Sequence, residues 1–162
     1  MKTSIFSLII AVALSVTSIH TASANNRITN DHSILKLAGE PSFKGSENFA
    51  KAFPDAMVNS YETKDGSTKV SFTWNGDALE AFYDLNGNLL ATSHFMKTAN
   101  LPMSVQMQVR DSYKDYSIVQ AVEFYHTEKG LSYFVMVKKD NKGLILQINP
   151  DGGMSIVKRL KN

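Results

Sequence analysis

Asp84, Asn86 and Asn88 stand on alternate positions of the run FYDLNGNLLATSHF, residues 82–95, the spacing at which oxygen ligands open a calcium-binding loop. A loop counted from Asp84 needs glycine at its sixth position and a bidentate glutamate at its twelfth, and the chain supplies Leu89 and Phe95. No metal is therefore expected here. The same letters make a strong turn signal, because Asn86-Gly87 separates two apolar runs and both residues tolerate positive φ.

Other chemistry fares no better. Zero cysteines exclude disulfides and thiolate nucleophiles, and neither G-x-S-x-G nor G-x-x-x-x-G-K-[ST] occurs. Beyond residue 24 the histidines are His32, His94 and His126, none with a second histidine or an acid at metal-ligand helical spacing. Asp84 and Asp151 could be pictured as paired carboxylates, yet each precedes or flanks a turn glycine, and turn chemistry accounts for both. Catalytic residues, metal and cofactor are all expected to be none, and the chain is read as not an enzyme.

Residues 1–24, MKTSIFSLIIAVALSVTSIHTASA, carry a short basic start, an apolar stretch broken by serine and threonine, and small residues at Ala22 and Ala24. This is the pattern of a secretory signal peptide cleaved after Ala24, too short in its apolar part for a stable membrane span. A periplasmic or secreted protein is expected, with no membrane insertion after cleavage. Removing 24 of 162 residues leaves 138, with 16 basic against 15 acidic side chains. So balanced a charge, without a basic stripe, gives no reason to expect nucleic acid.

The elements that would position any site come next. Residues 25–45 read as a flexible leader, polar and weakly periodic. From Ser46 the pattern sharpens: Phe49 and Phe53 lie one helical turn apart and Pro54 stops the helix, giving a helix over 46–53. Apolar runs at 57–63, 69–74, 79–83 and 89–96 follow, separated by Asp65-Gly66, Asn75-Gly76 and Asn86-Gly87, which specifies an antiparallel meander. Leu101-Pro102 then opens a helix over 102–113, with Val105, Val109 and Tyr113 at intervals of four, and runs at 117–125, 131–138, 144–149 and 154–158 repeat the series.

The expectation is an α+β fold: a tandem repeat, 46–97 and 101–158, of one helix plus a four-stranded antiparallel sheet, with both helices on one face and the other face open. Tyr133, Phe134, Val135, Met136 and Val137 are apolar on both phases of a strand. If Tyr133, Val135 and Val137 meet the helix, Phe134 and Met136 point away, joined by one or more of Tyr125, Ile145 and Val119. Such a patch marks either a protein-partner surface, for which these five residues are the partner-binding candidates, or a second small core or a surface that the leader or a loop covers.

The ordered set Phe53-Pro54, Phe72 with Trp74, Phe82-Tyr83-Asp84-x-Asn86-Gly87, Leu101-Pro102, Tyr113 within DSYKDY, and more loosely Tyr133 and Asp151-Gly152, resembles the PepSY-like proteins exported by Bacteroidetes. These are often described as resembling the beta-lactamase inhibitory protein. The resemblance covers about residues 47–158. It implies a tandem pair of helix-on-sheet units and an exported, non-enzymatic protein, for which binding or inhibiting another protein is suspected; it carries over no catalytic residue and no inhibitory contact. Two functions are thus in play. One is a protein-binding module acting on an unidentified envelope or secreted partner. The other is a periplasmic small-ligand carrier, for which Trp74, Tyr83 and Tyr125 are the residues to inspect.

Overall fold

The computed structural model describes residues 42–161, and in it eight strands pair in the order in which the chain writes them. They are β1 (Met57–Lys64), β2 (Ser67–Trp74), β3 (Asp77–Tyr83), β4 (Leu89–Met96), β5 (Ser117–His126), β6 (Gly130–Lys139), β7 (Lys142–Ile148) and β8 (Met154–Lys161). Every neighbouring pair is antiparallel, including β4 with β5, so the chain makes one continuous eight-stranded meander. Helix α1 (Ser46–Ala52) precedes β1; a 3-10 turn (Thr98–Asn100) and helix α2 (Met103–Ser112) separate β4 from β5. The fold is α+β. The expected signal peptide and residues 25–41 of the expected leader lie outside the described residues. Residues 42–45 do not: Phe43 is buried against Phe49 and Tyr83, so the folded unit starts before Ser46. At the other end β8 runs three residues past the expected limit of 158.

Turn chemistry sets the register. At Asp65-Gly66 and Asn75-Gly76 both residues take positive φ, the backbone of a two-residue hairpin turn that follows strand twist. At 86–87 only Gly87 does, at 81°. There Gly87 N–H donates to the Asp84 carbonyl (3.0 Å) and Asp84 N–H to the Asn88 carbonyl (2.9 Å), a longer loop in which glycine alone occupies the left-handed position. The β7–β8 loop is bonded alike: Gly152 N–H to the Asn149 carbonyl (3.0 Å) and Asn149 N–H to the Gly153 carbonyl (2.8 Å).

Each loop docks on a helix. Asn48 Nδ2 donates to the Gly87 carbonyl (2.8 Å) from α1, and Gln108 Nε2 to the Gly152 carbonyl (2.5 Å) from α2. Both helices end by the same device. Phe53 N–H donates to the Phe49 carbonyl and Tyr113 N–H to the Val109 carbonyl, with Pro54 blocking continuation of the first.

The helices bury their apolar stripes on one face of the sheet. Phe49 and Phe53 pack on Val70, Phe72, Ala81 and Tyr83, while Val105 and Val109 pack on Ala121, Val135, Val137, Leu144 and Leu146. The register Leu79 to His94, His94 to Glu123, Glu123 to Tyr133 runs across β3 to β6 and places both cores on the same side. Among the described residues no helix is long and apolar enough to cross a membrane.

Candidate functional site

The other phase of each strand builds a second apolar surface on the side that neither α1 nor α2 covers. Cross-strand partners place Phe82 beside Ala91, Phe124 between Ser93 and Ser132, Phe134 beside Val122, and Met136 beside Ile145. Three rings form a tract along it: Phe82 to Phe124 at 6.3 Å and Phe124 to Phe134 at 5.6 Å, the latter edge to face. Such contacts add to area burial because the ring edge is positive and the face negative.

Polar groups flank the tract on both sides. Lys69 Nζ lies 3.6 Å from Glu80 Oε1, and Ser93 Oγ donates to Glu80 Oε2 at 3.2 Å. On the far side Gln147 Nε2 donates to Ser132 Oγ (3.3 Å), which donates in turn to Asn149 Oδ1 (3.1 Å).

Of the five candidates, Phe134, Met136 and Ile145 share this face. Tyr125 does not. It pairs with Thr92 and Leu131 on the helix side, half exposed over the central strands. Val119 is the residue left over where the β5–β6 register shifts between Ile118 and Gln120, so a bulge takes it out of alternation. Phe82, Val122 and Phe124 belong to the face and escaped the sequence reading, because only the register shows that they adjoin Phe134.

These side chains are buried: Phe134 and Ile145 are 2 % exposed, Phe124 3 %, Met136 4 % and Phe82 5 %. The expectation of a solvated second face is corrected accordingly, and the physical reason is its composition: three phenylalanines with Met136, Ile145 and Val122 make a surface that water disfavours.

The ionisable groups described on the helix side lie in local pairs and turns. His94 Nε2 is 3.8 Å from Asp77 Oδ1 and faces Glu123 across β4–β5. Tyr133 is held above its ordinary pKa by burial and by Glu123 beside it. Among the described residues no three His, Asp or Glu side chains gather to hold a metal. The Asp84 carboxylate is occupied by its own loop, accepting from Asn86 and Asn88 N–H (both 2.8 Å) and Asn88 Nδ2 (3.0 Å). These bonds, the Asn88 side chain first, hold its pKa below the usual carboxylate range. Asp151 likewise accepts from Gly153 N–H at 3.0 Å.

Two of the three ligand-carrier residues, Trp74 and Tyr83, are structural. Trp74 Nε1 donates to the Pro54 carbonyl (2.8 Å) and its ring packs edge-on against Phe53. Tyr83 is fully buried in the first core, and burial pushes its pKa up to about 12.

No protein-family model matches the chain, and no curated protein does. Solved structures share its fold. A BLIP-like protein from Bacteroides fragilis is 24% identical with a TM-score of 0.66, the match covering 75% of this chain and 88% of that one. A DUF2874 family protein from Bacteroides uniformis is 12% identical with a TM-score of 0.65, covering 75% and 89%. A protein from Bacteroides eggerthii, provisionally described as periplasmic, is 12% identical with a TM-score of 0.64, covering 76% and 90%. The likeness to this BLIP-like group of Bacteroidetes proteins therefore holds at the level of fold.

Proposed function

We propose that this chain is an exported, non-enzymatic protein-binding module that docks a folded partner on the helix-free face of its sheet. Phe134, Met136 and Ile145 lie at the apolar centre, with Phe82, Phe124 and Val122 around them. The observation that carries the reading is this aromatic tract on the side away from both helices. In the mature chain this reading assigns the cover of the tract to a partner protein.

Size agrees. Eight strands about 4.8 Å apart, each about six residues long at about 3.3 Å per residue, offer a face of roughly 750 Å². One partner in a standard interface contributes about 800 Å². The BLIP-like and provisionally periplasmic structural relatives support export and a scaffold without catalysis, and an inhibitory role toward an envelope or secreted enzyme fits the same surface. We further read the scaffold as one module written twice, supported by the matched loops, helix docking bonds and helix ends of the two halves.

The test is affinity capture from the native envelope with the mature chain, residues 25–162, beside Phe134→Asp and Met136→Lys, with circular dichroism to certify folding. The reading expects a stable complex that either charge abolishes while the fold persists. A complex that both folded variants retain would place the partner elsewhere.

A further inference from the structure

Among the described residues β8 pairs with β7 on one side and with no strand on the other, so the sheet ends on an eight-residue edge, Met154–Lys161. In an antiparallel edge strand alternate residues turn N–H and C=O outward, a template for one more strand. The surroundings of this edge are basic. Lys138 pairs with Gly143, which pairs with Leu160; Leu144 pairs with Arg159 and Ile145 with Lys158. Lys138 and Lys158 thus stand on the helix-free face, Lys142 and Arg159 on the helix face.

Lys139 in the same corner is neutralised by Asp115 at 2.7 Å, whereas none of these four is ion-paired among the described residues. Sixteen basic against 15 acidic residues beyond residue 24 make the chain nearly neutral, so four cations with no ion pair among the described residues, set against Asp140 in the β6–β7 turn, are a local concentration. The opposite edge differs. On β1 a register shift between Val58 and Ser60 interrupts pairing, and Glu62 stands between Tyr61 and Lys64 without a comparable excess of either sign.

We propose that β8 accepts an acidic, extended segment of a partner protein as a ninth antiparallel strand. Main-chain hydrogen bonds would supply the attachment, and the lysine and arginine side chains on both faces would select carboxylates at alternate positions. The same cations repel the β8 edge of a second copy, which removes self-association as the edge's default fate. The edge adjoins the aromatic face, Lys158 pairing with Ile145, but it would be recognised through main chain and carboxylates where that face is apolar, so the peptide test can fail without the capture test failing.

The test uses the mature chain and a fluorescein-labelled octapeptide alternating Glu and Val, followed by fluorescence anisotropy at low salt. Lys158→Glu combined with Arg159→Glu changes two exposed side chains and is expected to weaken binding by at least about tenfold. The same peptide with every second backbone nitrogen methylated is expected to weaken by a similar factor, because strand pairing is lost while charge is kept. A Lys-Val octapeptide is expected not to bind the wild type. Equal binding of the methylated peptide would show attraction between charges without strand addition and overturn the proposal. Failure of the Glu-Val peptide to bind at all would also overturn it.

Discussion

The Tyr83 hydroxyl is fully buried with no hydrogen-bond partner among the described residues, a polar group that folding strips of water without compensation. Tyr83→Phe should therefore leave stability within about 1 kcal/mol of wild type or raise it. Its raised pKa also fixes a sign. Between the ordinary tyrosine value near 10 and about 12 the unfolded chain has lost a proton that the folded one keeps, so stability falls as pH rises through that window. Urea denaturation across it should show a decline that Tyr83→Phe reduces; an unchanged decline would assign it to other groups.

Asp84 works in the opposite sense. Its lowered pKa gives stability that is present above the ordinary carboxylate value and lost as pH falls through the depressed one. Asp84→Ala should cost about 1 kcal/mol at neutral pH and flatten the acid limb of a melting-temperature profile. The turn role of Asp84 was legible in the sequence, since its failure as a calcium ligand shows in two letters, Leu89 and Phe95. The orphaned hydroxyl of Tyr83 was not, because it depends on how Phe43 and the β3–β4 loop close around it.

At the scale of elements, two glycines in alike loops should respond differently to the same change. Gly87 and Gly152 both take positive φ, so alanine at either costs about 1 kcal/mol in backbone strain. A methyl group at Gly87 would also stand 2.7 Å from Gly45 N and 2.8 Å from its Cα, whereas at Gly152 it meets nothing within 4 Å. Gly87→Ala is thus expected to lower the urea midpoint well beyond Gly152→Ala, and equal midpoints would mean that α1 shifts freely. The strands were legible because Asx-Gly pairs bound apolar runs. Their ends were less so: β2 begins at polar Ser67 and Thr68, kept in the sheet by the Thr68 Oγ1 contact with Thr63 Oγ1 at 2.9 Å. The geometry of the 86–87 turn was also hidden, since positive φ at Gly87 alone follows from the docking of that loop on α1.

For the molecule as a whole, the doubled apolar phase of β6 marked a second apolar face that was expected to be open and is buried, and Phe134 and Met136 lie on it, away from the helices. Phe82, Val122 and Phe124 did not stand out, because strand register across β3 to β6 brings together residues up to 52 positions apart, and no local window holds that information. The same limit misplaced Tyr125, whose phase on β5 is fixed by the bulge at Val119. The central claim is that the mature chain presents this tract to a partner protein. Fluorescence of 8-anilinonaphthalene-1-sulfonate with purified residues 25–162 tests it most directly. The account predicts strong enhancement that the folded Phe134→Asp variant loses; a monomer that leaves the dye dark would mean the chain closes this face with its own residues, contradicting the claim.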